Sequence, residues 1–322
     1  MPVSPASPVA PSSALDVVVE RRHEPVADVV ELTLRSADGR ALPPWQPGAH
    51  IDVFAGDDVV RQYSLCGPAD AATWTIAVRV LQDGLGGSLR MATLSAGDHV
   101  TVSEPRNHFE LVEAASYVFV AGGIGITPIL PMVRSASQRG AAWSLAYGGR
   151  SESLMPYLAE LRELPGGTLD VWTDDGRGPI DVRRLLEVPS AGTAIYCCGP
   201  EPLLAAMESA VGAWPDGALH VERFTPRPVD TSDVHAFDVE LVRSGVTLMV
   251  TGERSILDTM SDAGIAVPFS CGEGVCGTCE TRVLAGAVDH RDSILTPAEQ
   301  AANDTMMVCV SRARDGRLTL DC

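Results

Sequence analysis

The chain is short of basic side chains and of long apolar runs, and it has no secretory signal; each absence removes a class of protein. Only 24 Lys and Arg stand against 42 Asp and Glu, a formal net charge of -18 over 322 residues. Nucleic acids and anionic membranes are found through positive surfaces, so neither is an expected partner, and a basic protein surface suits the chain better. No stretch approaches the roughly 20 consecutive apolar residues of a membrane span. The opening MPVSPASPVAPSSA lacks both a positive start and an apolar core, so residues 1–13 read as a disordered leader. Eight cysteines without a signal point to a reducing compartment, where structural disulfides do not persist. A cytoplasmic protein with free thiols is expected. There is no internal repeat and no block of like charge.

What is present divides the chain into parts, because 322 residues with 45% hydrophobic content bury more than one core. Residues 14–112 carry short alternating runs, DVVVE, VVELTLR, HIDVF, RQYSL, WTIAVRV and DHVTVSE, separated by turn clusters such as SADGR and PPWQPG; this predicts an antiparallel β-barrel. Residues 113–226 alternate strand and helix: YVFVA before a glycine turn and a helix, WSLAY, a helix through SLMPYLAELREL, LDVWT, a helix at DVRRLLE, then AIYCC and another helix. That order predicts an α/β domain with a parallel sheet. Residues 227–236, rich in Pro, Asp, Ser and Thr, read as a linker. Residues 237–322 open with the hairpin pair FDVELVRSG and VTLMVTG, then the helix SILDTMSDAG and a cysteine loop, an α+β unit.

That loop, CGEGVCGTC, holds Cys271, Cys276 and Cys279 as C-x4-C-x2-C, with Cys309 downstream. This is the spacing of plant-type 2Fe-2S ligation, whereas zinc sites pair two short C-x2-C knuckles. Gly272, Gly274 and Gly277 let backbone fold around an inorganic core with N–H groups aimed at sulfur. Structural zinc is the alternative, and would make the chain a multidomain interaction protein. Cys66, Cys197, Cys198 and Cys322 have no ligand spacing and suit burial as small hydrophobes.

CGEGVCGTCETRVLAGAVDHRDSIL resembles the C-terminal ferredoxin domain of the phthalate dioxygenase reductase and vanillate demethylase reductase family, including the segment His290, Arg291, Asp292. The resemblance implies a β-grasp-like ferredoxin fold, and it implies a flavin. On a strand, Arg61 and Tyr63 of RQYSL share one face. A guanidinium can fork onto phosphate while a phenol ring covers isoalloxazine. By resemblance Ser64 lies near flavin N5. Gly86, Gly87 and Ser88 precede a helical stretch, where free N–H groups receive phosphate, and they resemble the family's GGS turn, with Arg79 nearby. The family uses FMN; FAD is the alternative.

YVFVAGGIGITPIL places Gly122, Gly123 and Gly125 after a strand, with Pro128 in the first turn of the next helix. This is not G-x-G-x-x-G, and alone it is a weak signal. It resembles the GGxGxTP turn of the ferredoxin reductase superfamily, which puts Thr127 beside nicotinamide. Cys198, Gly199 and Pro200 match that superfamily's CGP, and Phe224 of HVERF matches a residue that shields the flavin. At the ribose end, Arg150 and Ser151 suit a 2′-phosphate while Glu152 opposes one. NADH is the expected donor, with NADPH the alternative.

The resemblance implies an NAD(P)H-dependent flavin iron-sulfur oxidoreductase. NADH supplies two electrons to FMN, and the flavin hands them singly to the 2Fe-2S centre. Ser64, Thr127, Cys198 and Phe224 surround the junction, and no acid, base or nucleophile is required. The chain has no Rieske C-x-H pair and no other readable iron or haem site, so the acceptor is expected to be a separate terminal oxygenase or demethylase of the Rieske type. A haem-thiolate monooxygenase is the alternative acceptor.

Overall fold

The computed structural model describes residues 14–54, 60–81, 86–227 and 235–322. The expected leader, most of the expected linker and the start of QDGLGG lie outside the described residues. Two compact units account for the chain: one takes most of residues 12–223, the other residues 224–322. Every one of the 24 basic side chains is arginine, so each buried cation in either unit is a planar, multiply donating fork.

The first unit opens with six antiparallel strands: β1 (Leu15–Val26), β2 (Val29–Ser36), β3 (His50–Phe54), β4 (Val60–Ser64), β5 (Trp74–Arg79) and β6 (His99–Val102). Their order is β4-β3-β6-β1-β2-β5. The two edge strands meet where Leu65 bridges Ile76 and the Cys66 N–H donates to Thr75 O at 2.8 Å, so the sheet closes into the expected barrel. Val17, Leu32, Ile51, Val53, Ile76 and Val102 fill it with almost no exposure. A short helix, α1 (Gly87–Thr93), follows the fifth strand.

The same unit continues as β7 (Ser116–Gly122), α2 (Ile126–Gln138), β8 (Ala142–Gly149), α3 (Leu158–Glu163), β9 (Gly167–Thr173), α4 (Val182–Leu185), β10 (Thr193–Cys198), α5 (Glu201–Ala210) and β11 (Leu219–Glu222). The sheet is parallel throughout, ordered β11-β10-β7-β8-β9. One face packs Phe119, Leu145 and Tyr196 against Ile129, Leu130 and Val133 of α2. The other packs Val120, Ile195 and Cys197 against Leu204, Met207 and Trp214. The helix expected through SLMPYLAELREL is shorter than the pattern suggested. A single 3-10 turn, Glu152–Leu154, is followed by extended Met155 and a left-handed Tyr157 (φ 63°), and the α-helix starts only at Leu158. Pro156 disfavours helix at Met155, which breaks the run.

The second unit holds β12 (Phe237–Leu241), β13 (Val246–Val250), α6 (Ile256–Asp262), β14 (Glu280–Ala285), β15 (Val288–Asp289), α7 (Pro297–Ala302), β16 (Thr305–Met307), β17 (Arg312–Ala313) and β18 (Arg317–Leu320). The main sheet is ordered β13-β12-β18-β14-β16, with the first hairpin antiparallel and β18 parallel to β12. Helix α6 starts at a capping box in which Ser255 Oγ accepts from Asp258 N and the Asp258 carboxylate accepts from Ser255 N. Its Ile256, Leu257 and Met260 complete the core with Val239, Leu241, Met306 and Leu318. Arg312 is 6% exposed and donates to three carbonyls, Arg254 O (2.8 Å), Thr251 O (2.9 Å) and His235 O (3.1 Å), while its guanidinium lies 4.9 Å from the Phe237 ring centroid.

That guanidinium ties the start of β12 and the turn before α6 to β17. Arg312→Ala leaves three shielded carbonyls without donors and is expected to cost this unit about 3 kcal/mol. The check is urea unfolding followed by amide hydrogen exchange in residues 237–322, alongside the same measurement in residues 15–222. The midpoint of the former falls and that of the latter stays.

Candidate functional site

In the parallel sheet the chain leaves β7 toward β8 on one side and β10 toward β11 on the other, so the carboxyl ends of β7 and β10 form a topological switch point, where ligands of open α/β sheets bind. Gly122, Gly123 and Gly125 follow β7, and Cys198, Gly199 and Pro200 follow β10. The two turns touch backbone to backbone. A Cβ on Gly125 would lie 2.8 Å from Gly199 N and closer still to the Cys198 carbonyl; one on Gly122 would lie 2.6 Å from Pro200 Cδ. Only glycine allows this approach, and Gly123 also sits at φ 55°. In α2, Pro128 and Pro131 lack the N–H groups that would cap Ile124 and Thr127 carbonyls. Thr127 Oγ1 donates to Ile124 O at 3.0 Å and replaces one of them. Thr127 and Cys198 are buried, and burial pushes the Cys198 thiol well above its ordinary range.

The flavin candidates lie in the same compact unit. Ser64, at the end of β4, is 5% exposed, and its Oγ is shut from solvent with no hydrogen-bond partner among the described residues. A buried hydroxyl left unsatisfied is costly, and a heteroatom on a bound ring would satisfy it. Tyr63 is largely enclosed, and burial pushes its phenol up to about 12. Arg61 lies across the N-terminus of α1: a Cβ on Gly87 would sit 2.8 Å from Arg61 Cγ and Nε, and Gly86 adopts φ 83°. Ser88 Oγ accepts from Leu81 N at 3.1 Å, which orders the turn. The nearest side-chain atom to a Cβ on Gly123 is Arg79 Nη1, 3.8 Å away, so the barrel and the glycine turn approach at Arg79. These groups fit a ring bearing a phosphate tail.

In the second unit Gly272, Gly274 and Gly277 all take positive φ (69°, 72°, 74°). A Cβ on Gly274 would meet Val310 Cγ2 at 2.6 Å. The four thiols lie close enough to act on one another, Cys271 with Cys276 and Cys309, and Cys279 with Cys309. The neighbouring Cys276 and Cys309 thiols push the Cys271 thiol down, and Cys309 lowers Cys279. Backbone N–H groups add to this, with Glu273 N donating to Cys271 Sγ at 3.3 Å and Thr278 N to Cys276 Sγ at 3.4 Å. Among the described residues no three ligating side chains are gathered as around one ion. Backbone amides aimed at sulfur, with three cysteines spaced C-x4-C-x2-C and a distant fourth, fit ligation of a 2Fe-2S cluster.

The chain was compared with known proteins. A 2Fe-2S iron-sulfur cluster binding domain matches residues 239–314, and an oxidoreductase NAD-binding domain matches residues 119–209. The phthalate 4,5-dioxygenase reductase subunit of Pseudomonas putida is 39% identical over 91% of this chain and 92% of its own. The solved phthalate dioxygenase reductase, described as modular for electron transfer from pyridine nucleotides to [2Fe-2S], superposes with a TM-score of 0.69 at 34% identity, covering 96% and 98% of the two chains. The chain belongs to the phthalate dioxygenase reductase family. An intact type IV self-sufficient cytochrome P450 monooxygenase also superposes, with a TM-score of 0.90 at 41% identity; the chain is covered over 98% of its length but spans only 43% of that protein.

Other residues of this family member fall less clearly into a site. Arg150 is exposed and makes no hydrogen bond or ion pair among the described residues, Ser151 Oγ is 3.0 Å from Ser153 Oγ, and Glu152 is held by Arg162 at 2.7 Å. Phe224 stands two residues beyond the end of β11, begins the second unit and is 44% exposed. His290, Arg291 and Asp292 back the cysteine loop: Asp292 Oδ2 accepts from Ile294 N and Leu295 N, Ser293 N donates to Gly274 O at 2.9 Å, and Arg291 N donates to Ser311 Oγ.

Sequence reasoning missed Glu222. It pairs with Cys198 across adjacent strands at the switch point. The residue as a whole is half-buried, but its Oε2 has neither solvent nor partner, and burial pushes the carboxyl from 4.5 up to about 8. Arg223 beside it is fixed by Glu201 (3.1 Å) and Glu208 (2.8 Å) of α5, so the strand end cannot turn to relieve it. The only local signal is the acid-base pair after an apolar strand, and its partners lie 15 and 22 residues away. Between pH 4.5 and about 8 the folded protein keeps a proton that the unfolded chain has lost. This contribution is fully present below the lower value and is lost as pH rises through the window, at up to about 1.4 kcal/mol per pH unit. Glu222→Gln is expected to flatten that decline, measured as urea midpoints from pH 5 to pH 8.

Proposed function

We propose that the chain is the reductase component of a multicomponent oxygenase, taking electrons from NADH and delivering them through FMN and a 2Fe-2S cluster to a separate Rieske-type oxygenase or demethylase. The observations that carry this reading are the four cysteines within the matched 2Fe-2S domain and the side-chain-free approach of two turns at the switch point within the matched NAD-binding domain. The division into residues 14–112 for flavin, 113–226 for nucleotide and 237–322 for the cluster is part of the proposal.

When bound, the flavin converts a two-electron donation into single electrons, and the cluster passes them on. The protein holds these groups. Arg61, Gly86, Gly87 and Ser88 receive the FMN phosphate, with Arg79 alongside, and Tyr63 covers the ring. Ser64 Oγ, without a hydrogen-bond partner among the described residues, would bond to a heteroatom of the ring. Gly122, Gly123, Gly125, Gly199 and Pro200 keep side chains out of the nucleotide's path, and Thr127 and Cys198 would hold the nicotinamide beside the flavin. Positioning of this kind can supply most of a rate enhancement. Phe224 shields the same face until nucleotide arrives. Cys271, Cys276, Cys279 and Cys309 bind the irons as thiolates. Glu152, anchored by Arg162, stands against a 2′-phosphate and favours NADH over NADPH, despite Arg150 and Ser151.

No helix among the described residues is long and apolar enough to cross a membrane, and a cytoplasmic location with a basic docking partner is part of the reading. A second reading, donation to a haem-thiolate monooxygenase, rests on the superposition with the self-sufficient P450. Anaerobic titration of the purified protein with NADH and then NADPH, followed by visible absorbance, tests the main account. Flavin bands and broad iron-sulfur absorption should bleach together, with NADH effective at about tenfold lower concentration. A colourless, zinc-bearing protein contradicts it. Reconstitution with a Rieske oxygenase or with a P450 haem domain separates the two acceptors.

A further inference from the structure

Within the first unit, a group of polar contacts joins the barrel to the parallel sheet at two points close to the proposed reaction centre. Tyr157 Oη donates to Glu31 Oε2 on β2 at 2.8 Å and lies 3.4 Å from Cys66 Sγ. Arg134, on α2, grips Glu160 of α3 with two donors, at 2.6 and 2.8 Å, and spends a third on the Cys66 carbonyl at 2.5 Å. Cys66 stands two residues beyond Ser64. Arg134 stands on the helix that begins beside Thr127. Each side of the junction therefore ends within two turns of chain on the same three side chains.

The contacts reach the glycine turn as well. Tyr147 Oη is shared between Gly123 O (3.3 Å) and Pro156 O (3.2 Å), which fixes the turn to the residue before Tyr157. Ile124, inside GGIGITP, and Tyr157 pack on the small apolar cluster of Val29, Cys66 and Ala77 from the barrel. Tyr157 holds a left-handed backbone that glycine would adopt more easily. The strain is retained at a residue whose side chain reaches the barrel at Glu31 and Cys66, and observed strain of this sort marks a constrained position.

We propose that Tyr157 and Arg134 form a clasp that positions the flavin strand against the nicotinamide turn, so that hydride-transfer geometry is set by these residues although neither is among those assigned to hold nucleotide or flavin. The inference rests on the functional reading above. It predicts a separation of effects: neither side chain is among those assigned to hold a ligand, so the affinities hold while the distance between the ligands loosens. Losing the Tyr157 hydroxyl leaves Glu31 with Arg21 (3.1 Å) but without its link to the sheet. Replacing the Arg134 fork by a lysine keeps charge but cannot bind Glu160 twice and Cys66 O at once.

The test compares wild type with Tyr157→Phe and Arg134→Lys as flavin- and cluster-loaded protein. Rapid mixing with saturating NADH should show the limiting rate of flavin reduction about tenfold lower in each variant. Half-saturating NADH and flavin content should stay within about twofold of wild type, and the isotope effect with 4-deuterated NADH should rise. Amide hydrogen exchange, which needs no turnover, should speed up in residues 61–67 and 122–130 together. Unchanged rate and exchange in both variants, or a fall confined to the melting temperature, overturns the clasp. Wild type that NADH does not reduce would sink the functional reading, while exchange in the variants would still decide whether the clasp couples the two segments.

Discussion

The structure depends on one close approach, the packing of the Gly122–Gly125 turn against the Cys198–Pro200 turn at the carboxyl ends of neighbouring parallel strands. Side chains are excluded there on both sides, with Thr127 just after one turn and Cys198, paired across strands with Glu222, at the start of the other. Everything needed for a flat ring to lie against another flat ring follows from that exclusion. The barrel brings Ser64 with an unsatisfied hydroxyl and Tyr63 with an enclosed ring. The same principle recurs in the second unit, where Gly274 lies too close to Val310 for any side chain and lets amides turn toward sulfur.

Charge is arranged differently in the two units. In the first, buried ions are paired and bridge elements: Arg223 with Glu201 and Glu208, Arg134 with Glu160. In the second, Arg312 is buried against carbonyls and an aromatic face. Such groups are costly to bury and strongly destabilising to break, so they fix geometry more than they add stability. The net charge of -18 is carried on the remaining surface, where salt would screen its effect on encounter with a partner.

Much of this was legible from the chain because the signals are local. Alternation in DVVVE and VVELTLR sets the first strands, glycines mark the turns, and C-x4-C-x2-C with a distant Cys309 announces iron before any relative is considered. The failures are of two kinds. The helix expected from SLMPYLAELREL was broken at Met155 to Tyr157, where Pro156 and the reach of Tyr157 to Glu31, 126 residues away, override helical periodicity. Glu222, Arg312 and the Tyr157 and Arg134 contacts were passed over because each takes its meaning from partners distant in sequence. A carboxylate after an apolar strand looks ordinary until Cys198 is found beside it.

The central claim is that bare backbone at the switch point is what admits the nucleotide. Gly125→Ala tests it most directly, because a single methyl would collide with the Cys198 carbonyl while the barrel and the cysteine loop stay as they are. The measurement is anaerobic reduction of the variant, first by dithionite and then, on a fresh sample, by NADH. The account predicts normal flavin and iron-sulfur spectra, full bleaching by dithionite, and reduction by NADH slowed by at least about 100-fold. Reduction by NADH at the wild-type rate would contradict it.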